Sequence, residues 1–288
     1  MRLLKWTKRK APSEIAVHVI VSMIFMAVAL SYIYILVWAI IAANKTHVEI
    51  VENPFSLPQK WQWEHFIEVT KLLEVNGNNF WNMLGNSVYF SVGGALATQF
   101  TSITLAYACS KYKFRGSGLI YTLVMVVITL PIYGTAGATY ELYSRIGMID
   151  SYAHILTCLG GFNLFFLYYM AFFKNLSWTY AEAAMMDGAG HFGIFYRVML
   201  PQAKPIFGAL FLTQWITGWN NYESNLIYLP MLPTLPVGIY QFNKEMMYRA
   251  RLDILFAACV LVTIPAIIIF IVFNKTITTS VSVGGIKG

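Results

Sequence analysis

The chain has 288 residues, of which 58% are hydrophobic and only 11% are charged, and its formal net charge is +7. Soluble domains carry charged side chains at about a quarter of their positions, so this composition excludes an ordinary soluble protein and indicates an integral membrane protein. The apolar runs are long and do not alternate, which predicts spanning helices of about 20 residues and excludes the strands of a membrane barrel.

The three cysteines, Cys109, Cys158 and Cys259, are scattered within apolar runs. Their odd number and their spacing indicate neither a disulfide framework nor a metal site, so we interpret them as small buried side chains.

The N-terminal segment, residues 1–14, is basic and precedes the first apolar run. That run is too long for the core of a signal peptide and has no convincing cleavage site, so we expect it to remain as the first span. Charge-free runs along the chain predict six transmembrane helices. The six runs cover residues 15–44, 75–110, 116–140, 151–173, 205–222 and 254–274.

The loop charges predict the orientation of these spans. An even number of spans places both termini on one side, and the excess of Lys and Arg in the loops of that side indicates the cytoplasm. The pI of about 9.2 therefore follows from topology and attraction to anionic lipid, and it is not evidence for nucleic-acid binding. We expect one transmembrane domain, residues 15–274, followed by a cytoplasmic tail, residues 275–288.

The first external loop, about residues 45–84, is the longest. Phe66, Val69 and Leu72-Leu73 recur at helical spacing and predict a short amphipathic helix on the outer surface. Trp61 and Trp63 suit the aromatic belt of the membrane interface. Alternatively, the two indole rings stack on sugar rings.

A polar segment, residues 175–204, separates the fourth and fifth runs. Ser177 is predicted to cap a helix of about two turns over residues 178–186, and Asp187-Gly188 predicts the turn that ends it. A second short helix is predicted over residues 192–199, and Pro201 is expected to prevent a straight continuation into the fifth span. On local composition alone, an ordinary cytoplasmic helical connector is the favoured interpretation of this segment.

The fifth run is rich in polar and aromatic side chains, which are costly inside a membrane and usually face a cavity or another helix. One predicted helix face holds Trp215, Trp219, Tyr222 and Glu223, and the adjacent face holds Gln214, Gly218, Asn221 and Asn225. Aromatic rings beside amides and a carboxylate suit a sugar, whereas the alternative is packing against a partner helix. The candidate substrate-path residues are Trp215, Trp219, Asn220, Asn221, Tyr222 and Glu223.

The remaining polar residues predict no chemistry of their own. His18, His154 and His191 have no partners at metal-ligand spacing and favour structural roles. Asp253 is expected to pair with Arg249 or Arg251. The chain has no Walker-type Gly-Lys-Ser/Thr loop, so ATP is not expected to bind here in that way.

Three motifs in the polar segment, Glu-Ala-Ala at 182–184, Asp-Gly-Ala at 187–189 and Leu-Pro at 200–201, resemble the EAA signature of ABC-importer permease subunits. The resemblance extends from about residue 80 onward and is closest to carbohydrate-uptake permeases of the maltose type, second subunit. Its other elements are Asn86-Ser87, Ala106-Tyr107-Ala108 with Lys111–Gly116, Leu130-Pro131, Trp219-Asn220 and the final Gly-Gly-Ile-Lys-Gly. One departure is Ser177-Trp178, where the family often has a proline.

The resemblance implies an all-α ABC type I importer permease fold in a bacterial or archaeal cytoplasmic membrane, with a cytoplasmic EAA coupling helix. It implies carbohydrate import, of an oligosaccharide, by alternating access. The implied partners are a second permease subunit, two ATPase subunits that hold ATP and Mg, and an external sugar-binding protein, with no cofactor in this chain. The implied ATPase-docking residues are Glu182, Ala183, Ala184, Asp187 and Gly188.

Two other classes of function stay open. One is an ABC permease for a non-sugar solute, and the other is a stand-alone membrane carrier or enzyme. An enzyme requires a catalytic cluster near one interface, and a carrier favours mid-span acids and an internal repeat. The sequence displays none of these features.

Overall fold

The computed structural model describes residues 12–112, 114–130 and 134–284. Most of the basic N-terminal segment, Pro131 and the last four residues of the tail lie outside the described residues. The α-helices are α1 (Pro12–Ala43), α2 (His47–Glu52), α3 (Glu64–Leu72), α4 (Phe80–Lys111), α5 (Ser117–Thr129), α6 (Ala136–Arg145), α7 (Leu164–Asn175), α8 (Thr179–Met186), α9 (His191–Ile194), α10 (Leu200–Gln202), α11 (Lys204–Trp219), α12 (Tyr222–Tyr228), α13 (Leu235–Tyr248) and α14 (Leu252–Gly284). A 3₁₀ segment (Tyr152–Cys158) and a π-helical turn (Phe195–Met199) complete the helical elements.

Two short strands, β1 (Glu74–Val75) and β2 (Asn78–Asn79), form an antiparallel hairpin before α4. Glu74 pairs with Asn79, and Val75 pairs with Asn78. The two turn residues, Asn76 and Gly77, both have positive φ, which is the conformation that Asn-Gly favours in a tight hairpin. Asn79 then caps α4 by accepting a hydrogen bond from the backbone N–H of Asn82.

Two of the described helices are long and apolar enough to cross a membrane. They are Glu14–Ala43 within α1 and Leu252–Val272 within α14, and α5 is a shorter apolar helix. The apolar side chains of α1 are exposed along most of its length, as expected of a helix that contacts lipid. The first and last predicted spans therefore correspond to single helices.

The third and fourth predicted spans are interrupted. The third is divided between α5 and α6, and the fourth between the 3₁₀ segment and α7. Asn163 begins α7, because its Oδ1 caps the helix by accepting from the N–H of Phe166. The fifth predicted span forms a single helix that ends at Trp219, three residues earlier than expected. The expectation of a single helix is therefore wrong for the third and fourth runs, and the count of six spans stays a prediction.

The chain divides into two compact units. The first unit contains the chain up to Glu68 together with Met246–Leu261, and the second contains Val69–Glu245 and the chain from Val262 onward. In the second unit, α4 packs against α7 and α11. Gln99 of α4 is fully buried, where its Nε2 donates to the carbonyl of Leu210 at 3.1 Å and its Oε1 accepts from the Tyr169 hydroxyl at 2.6 Å. One side chain thus links three helices.

The predicted ion pair lies in the first unit, whereas the predicted amphipathic segment is divided between the two units after Glu68. Helix α3 confirms that segment as helical, and Trp61 and Trp63 are exposed and stacked with ring centroids 5.7 Å apart. Arg251 Nε lies 3.0 Å from Asp253 Oδ2, which confirms that pairing. The same guanidinium also binds both oxygens of Glu68, and these hydrogen bonds, with the charge of Asp253, raise the pKa of Arg251.

Candidate functional site

The helix predicted over residues 178–186 is present as α8, one residue shorter than expected. The N-cap position is taken by Trp178 and not by Ser177. Ser177 still contributes, because its hydroxyl accepts a hydrogen bond from the N–H of Thr179 at 3.2 Å. Ala181 is fully buried among Tyr107, Phe173 and Ile194 in the core of the second unit. Helix α8 is therefore fixed to the protein core by one face, while Glu182 and Ala183 are exposed.

The predicted turn at Asp187-Gly188 is confirmed. Gly188 has φ +81, and its N–H donates to the carbonyl of Met185 at 3.0 Å, while the N–H of Ala189 donates to Ala184 at 2.9 Å. This pair of bonds is a Schellman motif, which ends a helix with a left-handed residue that is usually glycine. The direction in which the chain leaves α8 is thereby fixed.

An almost continuous helical path leads from the turn after α8 to α11. The segment predicted over residues 192–199 begins at His191, widens into a π-turn at Phe195–Met199 and continues through α10 to Gln202. The predicted end at Leu200-Pro201 is wrong. Pro201 has no N–H to donate to the preceding turn, and the π-turn just before it accommodates the missing bond. A single turn residue, Ala203, then precedes α11.

An open groove of about 720 Å³ lies beside α8, and we call it the coupling groove. Its lining comes from the stretch between Ala184 and Val198 and includes Asp187, Gly188 and Phe192. Phe192 is 83% exposed, a large apolar ring left without cover in this chain. Of the predicted docking residues, Ala184, Asp187 and Gly188 line the groove, whereas Glu182 and Ala183 lie outside its lining.

The aromatic-basic turn after α4 holds this segment in place. Lys111 Nζ donates to the carbonyl of Leu176 at 2.6 Å, and partial burial lowers the pKa of Lys111. The Tyr112 hydroxyl lies 3.1 Å from Nδ1 of His191, and its ring contacts Trp178. Sequence analysis identified this turn only through the family resemblance. Its contacts join residues more than 60 positions apart, so no local sequence pattern predicts them.

The candidate substrate-path residues do not share one helix face. Trp215 and Trp219 lie on α11 and are only 1% and 3% exposed, whereas Tyr222 and Glu223 lie on α12 after a break at Asn220-Asn221. The predicted single face across these four residues is therefore wrong. Asn220, Asn221 and Glu223 are exposed, and Asn221 Oδ1 caps α12 by accepting from the N–H of Ser224.

The adjacent set, Gln214, Gly218, Asn221 and Asn225, does come together. All four line a cavity of about 220 Å³ in the second unit, which we call the ring cavity. Its other walls come from α4 at Phe90–Ala95, from Tyr143, from the 3₁₀ segment at His154–Cys158 and from Tyr228. Sequence reasoning found one wall of this cavity and missed the others.

Aromatic side chains gather at one end of the ring cavity. His154 and Tyr228 are stacked with ring centroids 5.7 Å apart, and the Tyr143 ring meets both edge-on at 5.5 and 5.3 Å. Nδ1 of His154 lies 3.1 Å from the carbonyl oxygen of Met148. Within the described ranges, no group of three or more His, Cys, Asp or Glu side chains is placed to hold a metal ion.

Comparison with known sequences places these features in context. A family model described as "binding-protein-dependent transport system inner membrane component" matches residues 100–283. An arabinooligosaccharides transport system permease protein of Bacillus subtilis is 27% identical over 282 residues, with 97% of this chain and 99% of the relative covered. A diacetylchitobiose uptake system permease protein of Streptomyces coelicolor is 27% identical, with 86% and 82% covered.

A solved structure has a similar fold. It is a chain of a bacterial ABC transporter involved in the import of the acidic polysaccharide alginate, with a TM-score of 0.75 and 21% identity. The match covers 93% of this chain and 99% of that chain. At this identity the likeness supports the fold, and it says nothing about the solute.

Proposed function

Because the chain belongs to the family of binding-protein-dependent transport system inner membrane components, we propose that it is the permease subunit of an ATP-driven importer that moves a carbohydrate, an oligosaccharide, by alternating access. The chain is a transport subunit and not an enzyme. The carbohydrate is supported by the relatives, whose names specify arabino-oligosaccharides, diacetylchitobiose and galacto-oligosaccharides. The alternative of a non-sugar solute is decided by the uptake measurements below.

The observation that carries this proposal is the coupling groove on a helix that is itself fixed in the core. Ala181 and Ile194 are fully buried, yet Phe192 and Met186 on the same segment are almost fully exposed. Exposed apolar side chains beside a concave surface mark a protein interface. A force applied at the groove passes through Ala181 to the buried core, because packed interiors transmit displacement.

We assign the occupant of the groove as an ATPase subunit. The complex would contain a second permease subunit, two ATPase subunits carrying ATP and Mg, and an external sugar-binding protein. Glu182 and Asp187 offer carboxylates beside the groove, and Ala183 and Ala184 permit close approach of the partner. The chain's own part in the cycle is to bind the ATPase and to move α11 when the ATPases close.

The proposed topology has six spans and both termini in the cytoplasm, with 1–14 and 275–288 as cytoplasmic ends and 15–274 as the membrane domain. Glu52→Cys should react with a membrane-impermeant maleimide added outside intact cells. Asp187→Cys should react only after permeabilisation. Labelling of Asp187→Cys from outside would overturn both the orientation and the assignment of the groove.

The substrate path is proposed to follow α11 and α12. Asn220, Asn221 and Glu223 are exposed, and Tyr222 stacks on Tyr240 with ring centroids 5.0 Å apart. Trp215 and Trp219 are buried, so we assign them to the support of the path and not to direct contact with the substrate.

The test of the proposed function is Ala184→Trp in the complete transporter. Ala184 is half-buried in the groove lining, so an indole ring there should project into the groove, block close approach of the partner and release the ATPase subunits during purification. Ala138→Trp, at an exposed position of α6, is the matched control and should leave the complex intact. ATPase copurification and sugar uptake at the control level in Ala184→Trp would reject the docking assignment.

A further inference from the structure

We propose that the ring cavity is a binding subsite for one uncharged sugar ring of the transported carbohydrate. The proposal rests on the proposed function, since it names the part of the substrate that this chain contacts. It extends the path along Trp215–Glu223, because the cavity shares Asn221 with that path and adds lining residues from α4, the 3₁₀ segment and α12.

The first observation is where the helices are interrupted. The 3₁₀ segment Tyr152–Cys158 and the break at Asn220-Asn221 both reach the ring cavity. Non-helical backbone at membrane depth is tolerated only where it is buried in protein or lines a polar cavity. Ser91 lies 11 residues after the start of α4 at Phe80, which is about 16 Å along the helix at 1.5 Å per residue. The cavity is therefore close to the middle of the proposed membrane span.

The second observation is an unsatisfied hydroxyl on the cavity wall. Ser91 is 3% exposed, and its Oγ has no hydrogen-bond partner among the described residues. Nearby on the same helix, Thr98 Oγ1 donates to the carbonyl of Cys158 and Ser102 Oγ donates to Thr98. Buried hydroxyls normally form hydrogen bonds. We therefore assign the partner of the Ser91 hydroxyl to a molecule bound in the cavity.

The third observation is the chemistry and size of the lining. It combines the aromatic rings of Phe90, Tyr143 and Tyr228 with the neutral polar groups of Thr217 and Asn221. The described lining residues include no Lys, Arg, Asp or Glu. A sugar ring has apolar faces for the aromatic rings and hydroxyl edges for the polar groups. Since the described lining residues include no Lys or Arg, the carboxylate of an acidic sugar would lose its hydration without a permanent positive charge beside it.

The volume of the ring cavity limits how many sugar rings it can hold. Pockets for drug-sized ligands have volumes of about 300–1,000 Å³, whereas the ring cavity has only about 220 Å³. It accommodates one ring, and the remaining rings of an oligosaccharide must lie outside it.

The test uses the complete complex in proteoliposomes, with its sugar-binding protein and ATP, and radiolabelled arabinotriose, galactotriose and maltotriose as probes. Ser91→Ala and Thr217→Val should each lower the uptake rate about fivefold, as expected for the loss of one hydrogen bond. Thr213→Val is the matched control. Thr213 and Thr217 are both exposed on α11 and both bond the carbonyl four residues earlier, but only Thr217 lines the cavity.

A second measurement does not depend on the transport rate. Cys158 lines the cavity, so the transported trisaccharide should slow its reaction with a methanethiosulfonate reagent, while Cys259 should react at an unchanged rate. Uptake of none of the three probes by the wild-type complex would reject the proposed carbohydrate function. Wild-type uptake with control-level rates in Ser91→Ala and Thr217→Val and no protection of Cys158 would reject the subsite alone. Uptake of trigalacturonate as fast as galactotriose would reject its preference for an uncharged ring.

Discussion

The coupling groove and the ring cavity are both concave surfaces of the second unit, but the chain builds them in opposite ways. The groove is lined by one stretch between Ala184 and Val198, and its shape depends on a turn that two neighbouring residues encode. The cavity draws its lining from positions as distant as Phe90 and Tyr228. A surface made from one short stretch is sensitive to local backbone changes, whereas a surface made from distant elements is sensitive to the contacts that join them.

The largest effect is expected from Gly188→Pro. A proline fixes φ near −65°, whereas Gly188 requires φ +81, and proline also removes the N–H that donates to Met185. The Schellman turn cannot form, so α8 loses its defined exit and the groove its shape. We expect sugar uptake at the background level, with the chain still inserted in the membrane, measured in vesicles that contain the complete complex.

The control for this experiment is a second Schellman turn in the same chain. Gly147 ends α6 with φ +70, and the N–H of Met148 donates to the carbonyl of Tyr143 at 2.8 Å. Gly188→Ala and Gly147→Ala should each cost about 1–2 kcal/mol of backbone strain, since a Cβ at either position meets no atom within 4 Å. Only Gly188→Ala should weaken ATPase binding. Equal loss in both variants would mean that general stability, and not the groove, explains the effect.

The next largest effect concerns the contacts that join distant elements. Gln99→Leu should leave the buried Tyr169 hydroxyl without its acceptor and separate α4 from α7 and α11. An unsatisfied buried group costs about 1–3 kcal/mol, which lowers Tm by several degrees. Gln202→Leu is the control, because among the described residues the Gln202 side chain bonds only the carbonyl of Val198, four residues earlier. The thermal stability of the purified complex measures both, and equal shifts would contradict the linking role of Gln99.

The same difference explains what the sequence could predict. The Asp187-Gly188 turn and α8 follow from neighbouring residues, and both were found with an error of one residue at Trp178. The break after Trp219 was missed, because Trp215, Trp219 and Tyr222 keep helical spacing across it and the cap that Asn221 provides is visible only as geometry. That Ser91 and residues of α11 line the same cavity depends on how α4 and α11 pack, which no short pattern encodes.

The smallest effect separates two roles of Asn221. Its Oδ1 caps α12, so Asn221→Ala should cost about 1 kcal/mol through the lost cap. Asn221→Ser retains a capping oxygen but removes the carboxamide N–H₂ that a sugar hydroxyl would accept from. If Asn221 contacts substrate, both variants should lower the uptake rate while the complex stays assembled, and only Asn221→Ala should lower Tm. Normal uptake in Asn221→Ser would show that this residue serves the break between α11 and α12, and that the polar wall of the ring cavity is provided by other residues.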